Sequence, residues 1–215
     1  MKTRRQHPDP KAIVRTGYDR VSEVYSGDSP DDNKAVLAKY CEWIVDLALL
    51  LEPGSPVLDL GCGNGIPADR LLVDAGFHLT GVDISPVQIA RAQKLIPEGV
   101  FFQMDMSLVD FAPASFSAVV ALYSIIHIPL AEQPDLFKKI RAWLRPGGYL
   151  LAIVGAEAWT GEEKNWLGVE GAGMYWSHAD VTTYVHWLEE LGFEVIRNSF
   201  IPEGEGGHRL ILARR

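Results

Sequence analysis

Apolar positions recur along this chain in two rhythms, and the change between them comes near residue 57. Before it, residues 12–28 carry Tyr18, Val21 and Tyr25 at helical spacing, and residues 34–51 form a second helix-period stretch. Glu52-Pro53-Gly54-Ser55-Pro56 ends that stretch, because two prolines and a glycine cannot continue a helix. Beyond it, short apolar runs alternate with amphipathic segments. The runs predict strands at 57–60, 78–83, 100–104, 116–122, 149–154, 193–201 and 208–213. Helices are predicted from the glycine-rich turn to about residue 75, from Ser85-Pro86 onward, over 132–144 and over 178–191.

Strand–helix alternation of this kind predicts a Rossmann-like, doubly wound α/β fold with a mostly parallel seven-stranded sheet. Only Pro202 to Gly207 separates the last two strands, too short a link for a crossover helix, so the last strand is expected to run antiparallel. The 215 residues suit one domain. Residues 1–52 form a helical cap and 53–215 the α/β core, with 157–178 inserted as a lid-like segment. That segment is long for a connection, and its Trp159, Trp166, Tyr175 and Trp176 argue against disorder.

Composition narrows the partners. The net charge is −8 and no basic stripe stands out, which disfavours nucleic acid. Lys138, Lys139, Arg141 and Arg145 read as a solvated helix face, and Lys2, Arg4 and Arg5 as a terminal tail. The polar start has no signal-peptide pattern, and the longest apolar run, 44–51, is too short to span a bilayer. Cys41 and Cys62 have neither disulfide-framework nor zinc spacing, so no metal is expected and a reducing cytoplasm is the expected setting. Monomer and homodimer both stay open.

The chemistry concentrates at Leu58-Asp59-Leu60-Gly61-Cys62-Gly63-Asn64-Gly65, after the first strand and at the mouth of a helix. Glycines there let the backbone turn tightly and approach a ligand, and Asp83 at the end of the second strand can accept bonds from ribose hydroxyls. A dinucleotide loop would place its third glycine at position 66, which is Ile66. Asp59 beside the loop would repel a pyrophosphate but suits an ammonium and a sulfonium. S-adenosylmethionine is therefore favoured over a nicotinamide cofactor.

These segments resemble the ordered motifs of class I S-adenosylmethionine-dependent methyltransferases. The resemblance covers Val57 to Gly65, Gly81-Val82-Asp83-Ile84-Ser85, Phe102-Gln103-Met104-Asp105-Met106 and Arg145-Pro146-Gly147-Gly148-Tyr149-Leu150. Gly17-Tyr18-Asp19 with Tyr25, Met174-Tyr175-Trp176-Ser177-His178 and Leu191-Gly192-Phe193-Glu194 are similar to the small-molecule, UbiE/type 11-like branch. The resemblance implies methyl transfer to a small-molecule acceptor, with S-adenosylhomocysteine as the product. Asp59, Gly61, Gly63 and Asn64, with Cys62 among them, would line the methionine part, and Asp83 would hold the ribose. Ile84 would pack on adenine, Asp105 and Met106 would meet its edge, and Tyr123 would approach the methyl group. The Asn/Asp-Pro-Pro-Tyr/Phe signature of amine methylation is replaced by Leu122-Tyr123-Ser124-Ile125.

Each candidate has a plainer reading beside it. His127 is either a general base titrating near neutrality or a helix-starting residue bonded to backbone. Tyr18 and Tyr25 close over the site or simply bury aromatic bodies; Trp159, Tyr175 and Trp176 line an acceptor pocket for a flat or cationic molecule or pack as core. Cys62 sits where a helix N-terminus would lower a thiol pKa, yet the transfer needs no thiol. His178 reads as the start of the next helix and His208 as structural. Two other classes stay in view: a nucleotide-dependent oxidoreductase and a non-catalytic cofactor-binding protein.

Overall fold

The computed structural model describes residues 9–215, so Lys2, Arg4 and Arg5 lie outside the described residues. Helix α1 (Pro10–Tyr25) starts where Asp9 accepts the Lys11 N–H at 3.1 Å and Pro10 gives up an N–H that a first turn does not use. It ends at Ser26. A short turn leads to α2 (Lys34–Ala48), capped by Asn33. Leu49 to Leu51, read as helical from sequence, unwind into turns ahead of Pro53.

The core then follows in order: β1 (Pro56–Leu60), α3 (Ala68–Asp74), β2 (His78–Asp83), α4 (Pro86–Leu95), β3 (Val100–Gln103), β4 (Phe116–Ala121), α5 (Gln133–Trp143) and β5 (Leu144–Gly155). After these come β6 (Trp159–Glu163), β7 (Met174–His178), α6 (Val181–Glu190), β8 (Glu194–Glu203) and β9 (Gly206–Arg214). The main sheet has seven strands in the order β3-β2-β1-β4-β5-β9-β8. The last strand is antiparallel to both its neighbours, but it lies between β5 and β8 rather than at the sheet's edge.

Helices cover both faces, so inner strands are apolar on both sides. Leu58 and Leu60 face one core cluster with Phe137 and Trp143, while Val57 faces another with Trp43 and Leu72. Strand order reverses between β1 and β4, and the loops after these strands open the crevice where such sheets bind ligands.

The 157–178 segment is a hairpin, β6 with β7, rather than an irregular loop. Its base is tied down by buried Gln133, whose side-chain N–H₂ donates to Ser177 O at 2.6 Å and Ile128 O at 2.7 Å. Leu130 N–H donates to Ser177 Oγ at 3.1 Å. Helix α1 packs on the hairpin backbone to backbone: a Cβ at Gly17 would lie 2.1 Å from Gly173 O. His178 ends β7 instead of opening the next helix, which Asp180 caps by accepting from Thr183 N–H.

Candidate functional site

The site grows from the loop after β1. Gly61, Gly63 and Gly65 all have positive φ, at 81°, 56° and 81°. At Gly61 no other residue fits, since a Cβ there would lie 2.3 Å from Ser124 Cβ. The turn is fixed by Gly61 N–H donating to Val82 O at 2.7 Å and by Ser124 Oγ donating to Leu60 O at 2.5 Å. Asp83, at the tip of β2, accepts from Gly63 N–H at 2.9 Å and from Ser85 N–H at 2.8 Å. Burial pushes its carboxyl up to about 6, against the pull of those two donors.

Beneath the loop, Asp59 is 3% exposed and Oδ1 has no hydrogen-bond donor. Burial pushes its carboxyl up to about 7; the neighbouring Asp69 carboxyl opposes this and the charge of Asp83 adds to it. The Asn64 side chain braces the loop: it donates to Gly27 O at 2.8 Å and accepts from Ser26 Oγ and Ile66 N–H. Cys62 is buried under the loop near Asp59, Asp69 and Asp83. Burial and these carboxylates push its thiol well above the usual range, the reverse of the lowering read from its place before a helix.

Two connected spaces flank this frame. The inner groove, about 610 Å³ counted to its open mouth, runs from Gly61 and Gly63 past Asp83, Ile84 and Met106 to Asp105. The outer chamber is wider, about 1340 Å³ counted to its open mouth, and is walled by Tyr40, Trp43, Trp166 and Trp176, with Glu203 and His208 at one side. Tyr18, Tyr25, Tyr123 and His127 line both and form the partition.

At the partition, His127 is pinned at both ring nitrogens. Nδ1 lies 2.7 Å from the Tyr175 carbonyl, which can only accept, so Nδ1 carries the proton. Nε2 then accepts from the Tyr18 hydroxyl at 3.0 Å. Burial lowers the imidazole to about 4, the Tyr175 bond only partly opposing it, so His127 is neutral at physiological pH, and of its two sequence readings the bond to backbone is the one the geometry contains. Burial likewise raises the Tyr18 phenol well above its ordinary value. Tyr123 stands at positive φ, 57°, a conformation non-glycine residues adopt at a cost of order 1–3 kcal/mol. Its hydroxyl donates to Glu203, which also binds His208 Nδ1 at 3.0 Å.

The remaining candidates fall unevenly. Asp105 is occupied from within: Oδ2 takes Lys11 Nζ at 2.8 Å and Oδ1 takes Ser107 N–H at 2.9 Å. Trp159 is half exposed on the hairpin, its ring tilted against that of Trp176 at 5.9 Å between centroids, and lines neither space. Tyr175 contributes its carbonyl to His127. Lys11, Glu203 and the pocket role of Trp166 carry no local sequence signal; each arrives from an element distant in the chain. Among the described residues, no His/Cys/Asp/Glu group is placed to hold a metal ion, and no helix is long and apolar enough to cross a membrane.

A family described as methyltransferase domain matches residues 57–148, from β1 into the start of β5. Over those residues the chain is similar to a methyltransferase domain. A sterol 24-C-methyltransferase of Gibberella zeae is 36% identical to it over 115 residues, 51% of this chain and 29% of that protein. The chain spans less than two thirds of the length of the curated relatives it matches. Among solved structures, magnesium protoporphyrin IX methyltransferase of Synechocystis superposes with TM-score 0.70 at 22% identity, covering 99% of this chain and all of that one. The [4+2]-cyclase SpnF superposes with TM-score 0.74 at 18% identity, covering 97% and 96%. At such identities the likeness concerns the fold alone, a Rossmann-like core in which the loops of β1 and β4 flank the crevice where doubly wound sheets bind ligands.

Proposed function

We propose that this domain transfers a methyl group from S-adenosylmethionine to a small molecule held in the outer chamber, releasing S-adenosylhomocysteine. The observation that carries the reading is the arrangement of donors and acceptors along the inner groove. A Cβ at Gly63 would meet nothing within 4 Å, so the loop backbone opens directly on the ligand space. Asp59 lines a smaller pocket at the end of the loop, which shares Gly61 and Gly63 with the groove, and one of its oxygens lacks a donor, which suits an ammonium group. Asp83 keeps lone pairs free for ribose hydroxyls after its two backbone bonds. Ile84 and Met106 offer apolar contact to a purine, and the Lys11–Asp105 pair stands at its edge.

The ligand supplies a methyl group already activated by its sulfonium, so the protein's tasks are alignment and exclusion of water. Tyr25 and Tyr123 close the partition between groove and chamber. Tyr18 takes a proton from the acceptor on its oxygen while passing its own to His127 Nε2. Forming a buried imidazolium is costly, so this relay suits acceptors that lose a proton easily, or that need lose none. Trp166 and Trp176 favour a flat or cationic acceptor. We further place the protein in a reducing cytoplasm, as monomer or homodimer, without a nucleic-acid partner, on its two cysteines and net charge of −8.

Calorimetric titration with S-adenosylmethionine, S-adenosylhomocysteine and NADH tests the reading. Saturable binding of the two sulfur ligands, lost in Asp83→Ala, and no binding of NADH is the expected result. Silence of both sulfur ligands up to about 1 mM, where a site would give about −4 kcal/mol, overturns it. NADH binding revives the oxidoreductase, and cofactor binding without transfer to any acceptor points to a non-catalytic role.

A further inference from the structure

The proposed function uses Asp59 but leaves its neighbour Asp69 unexplained. Asp69 is fully buried in the first turn of α3, under Gly65, where a Cβ would lie 3.3 Å from the Asp69 Cβ. Its carboxyl lies close enough to that of Asp59 for each to shift the other, Asp69 upward and Asp59 downward. Yet Asp59 Oδ1 and both Asp69 oxygens have no donor from the rest of the protein. Two carboxylates cannot bond to each other without a proton, and no water-exposed surface dilutes their repulsion here.

The groups facing the pair supply no counter-charge. They are Asp83 from β2, Cys62 in the loop, Tyr40 from α2, Tyr25 from α1 and the Gln88 amide from α4. Arg70, the next residue along α3, turns away to Asp74 and Glu98. Gln88 adds an independent sign of a ligand: it is 1% exposed, borders the same loop-end pocket as Asp59, and its Nε2 has no acceptor. An unpaired buried donor and an unpaired buried acceptor on one small pocket match a zwitterionic amino-acid head group.

We propose that Asp69 is a positioning residue that keeps a proton at neutral pH and donates it to Asp59. The pair thereby holds a single negative charge on Asp59, facing the pocket where a ligand ammonium binds. This rests on the reading of the groove as an S-adenosylmethionine site and adds a residue that acts through Asp59 without touching the ligand. The proton is shared within a hydrogen bond; no covalent bond is made or broken.

The sign of the pH effect follows. Burial raises the Asp59 carboxyl to about 7, so its charge is present above that pH and lost as pH falls through it. Ammonium affinity should fall with it, by up to about tenfold per pH unit.

The test compares S-adenosylhomocysteine with 5′-methylthioadenosine, which has the same nucleoside and no head group. Asp83 titrates for both probes, so the ratio of their dissociation constants isolates the head group. In the wild-type chain that ratio should worsen progressively below about pH 7. Asp69→Asn, whose amide still donates to Asp59, should keep the wild-type ratio and profile. Asp69→Leu should weaken S-adenosylhomocysteine about tenfold or more at neutral pH, move the profile upward in pH and leave 5′-methylthioadenosine unchanged. The same ratio at every pH, or an Asp69→Leu chain indistinguishable from wild type, overturns the proposal. So does failure of Asp69→Asn to restore the profile. Infrared spectra of the ligand-free proteins provide an arm that needs no binding. The wild-type minus Asp69→Asn difference should show the carbonyl stretch of a protonated carboxylic acid at neutral pH, and its absence sinks the proposal. Failure of both nucleosides to bind would count instead against the S-adenosylmethionine reading, with the infrared result still deciding the fate of Asp69.

Discussion

The inner groove and the outer chamber share a partition but are built by different means. The loop side of the groove is made of backbone and of residues close together in sequence: a five-residue loop, the tip of the adjacent strand, and the bonds Gly63 N–H and Ser85 N–H give to Asp83, while α1 and the segments after β3 and β4 supply its other walls. The chamber is made of side chains from α1, α2, the β6–β7 hairpin and the β8–β9 turn, with rings meeting edge to face, such as Tyr18 on Trp166 at 5.5 Å between centroids. Backbone-built sites tolerate little change, because a Cβ or a φ cannot be repacked. Side-chain walls can change one ring at a time while the fold persists.

The comparison is broken most severely at Gly61. Gly61→Ala places a Cβ against Ser124 at positive φ and should cost about 3 kcal/mol of stability, read by denaturant unfolding, and abolish cofactor binding. An Ala variant that folds and binds like wild type would show that the groove is not backbone-limited. Next comes Tyr18→Phe at the partition. It removes the hydroxyl bonded to His127 and should lower turnover about 100-fold for an acceptor that loses a proton, with S-adenosylhomocysteine affinity within about twofold of wild type. Equal losses in binding and turnover would place Tyr18 in the groove alone. The smallest expected effect separates two tryptophans of the same segment. Trp166→Ala, in the chamber wall, should raise the acceptor KM by about tenfold, whereas half-exposed Trp159→Ala should leave it unchanged. The reverse ranking would move the acceptor to the outer side of the hairpin.

The groove was largely legible from sequence. The glycine loop, Asp83, Ile84 and Met106 all lie where strand–loop–helix order puts them, because the ends of adjacent parallel strands are adjacent in space. Side-chain duties were less so. Asn64 stands in the right loop but spends its side chain on the α1–α2 connection. Asp105 reaches the groove already bound to Lys11. Position after β4 leaves His127 open between a base and a backbone-bonded residue, since position does not report that both ring nitrogens are engaged in a buried setting. Trp159 and Trp166 are alike in sequence; only the fold of the hairpin separates a wall from a surface ring.

The sequence by itself determined what depends on local rules: apolar period, the caps at Asp9 and Ser85, glycine where φ is positive, and a link between the last strands too short for a crossover. The tertiary structure alone decided what depends on contacts across the chain. Lys11 meets Asp105 over 94 residues, Tyr18 meets His127 over 109 and Tyr123 meets Glu203 over 80. It also decided the insertion of β9 beside β5 and the burial that shifts Asp59 and His127 in opposite directions. A residue's type sets what it can bond. Its partners and the water it loses are set by everything packed around it, and that information is spread along the whole chain.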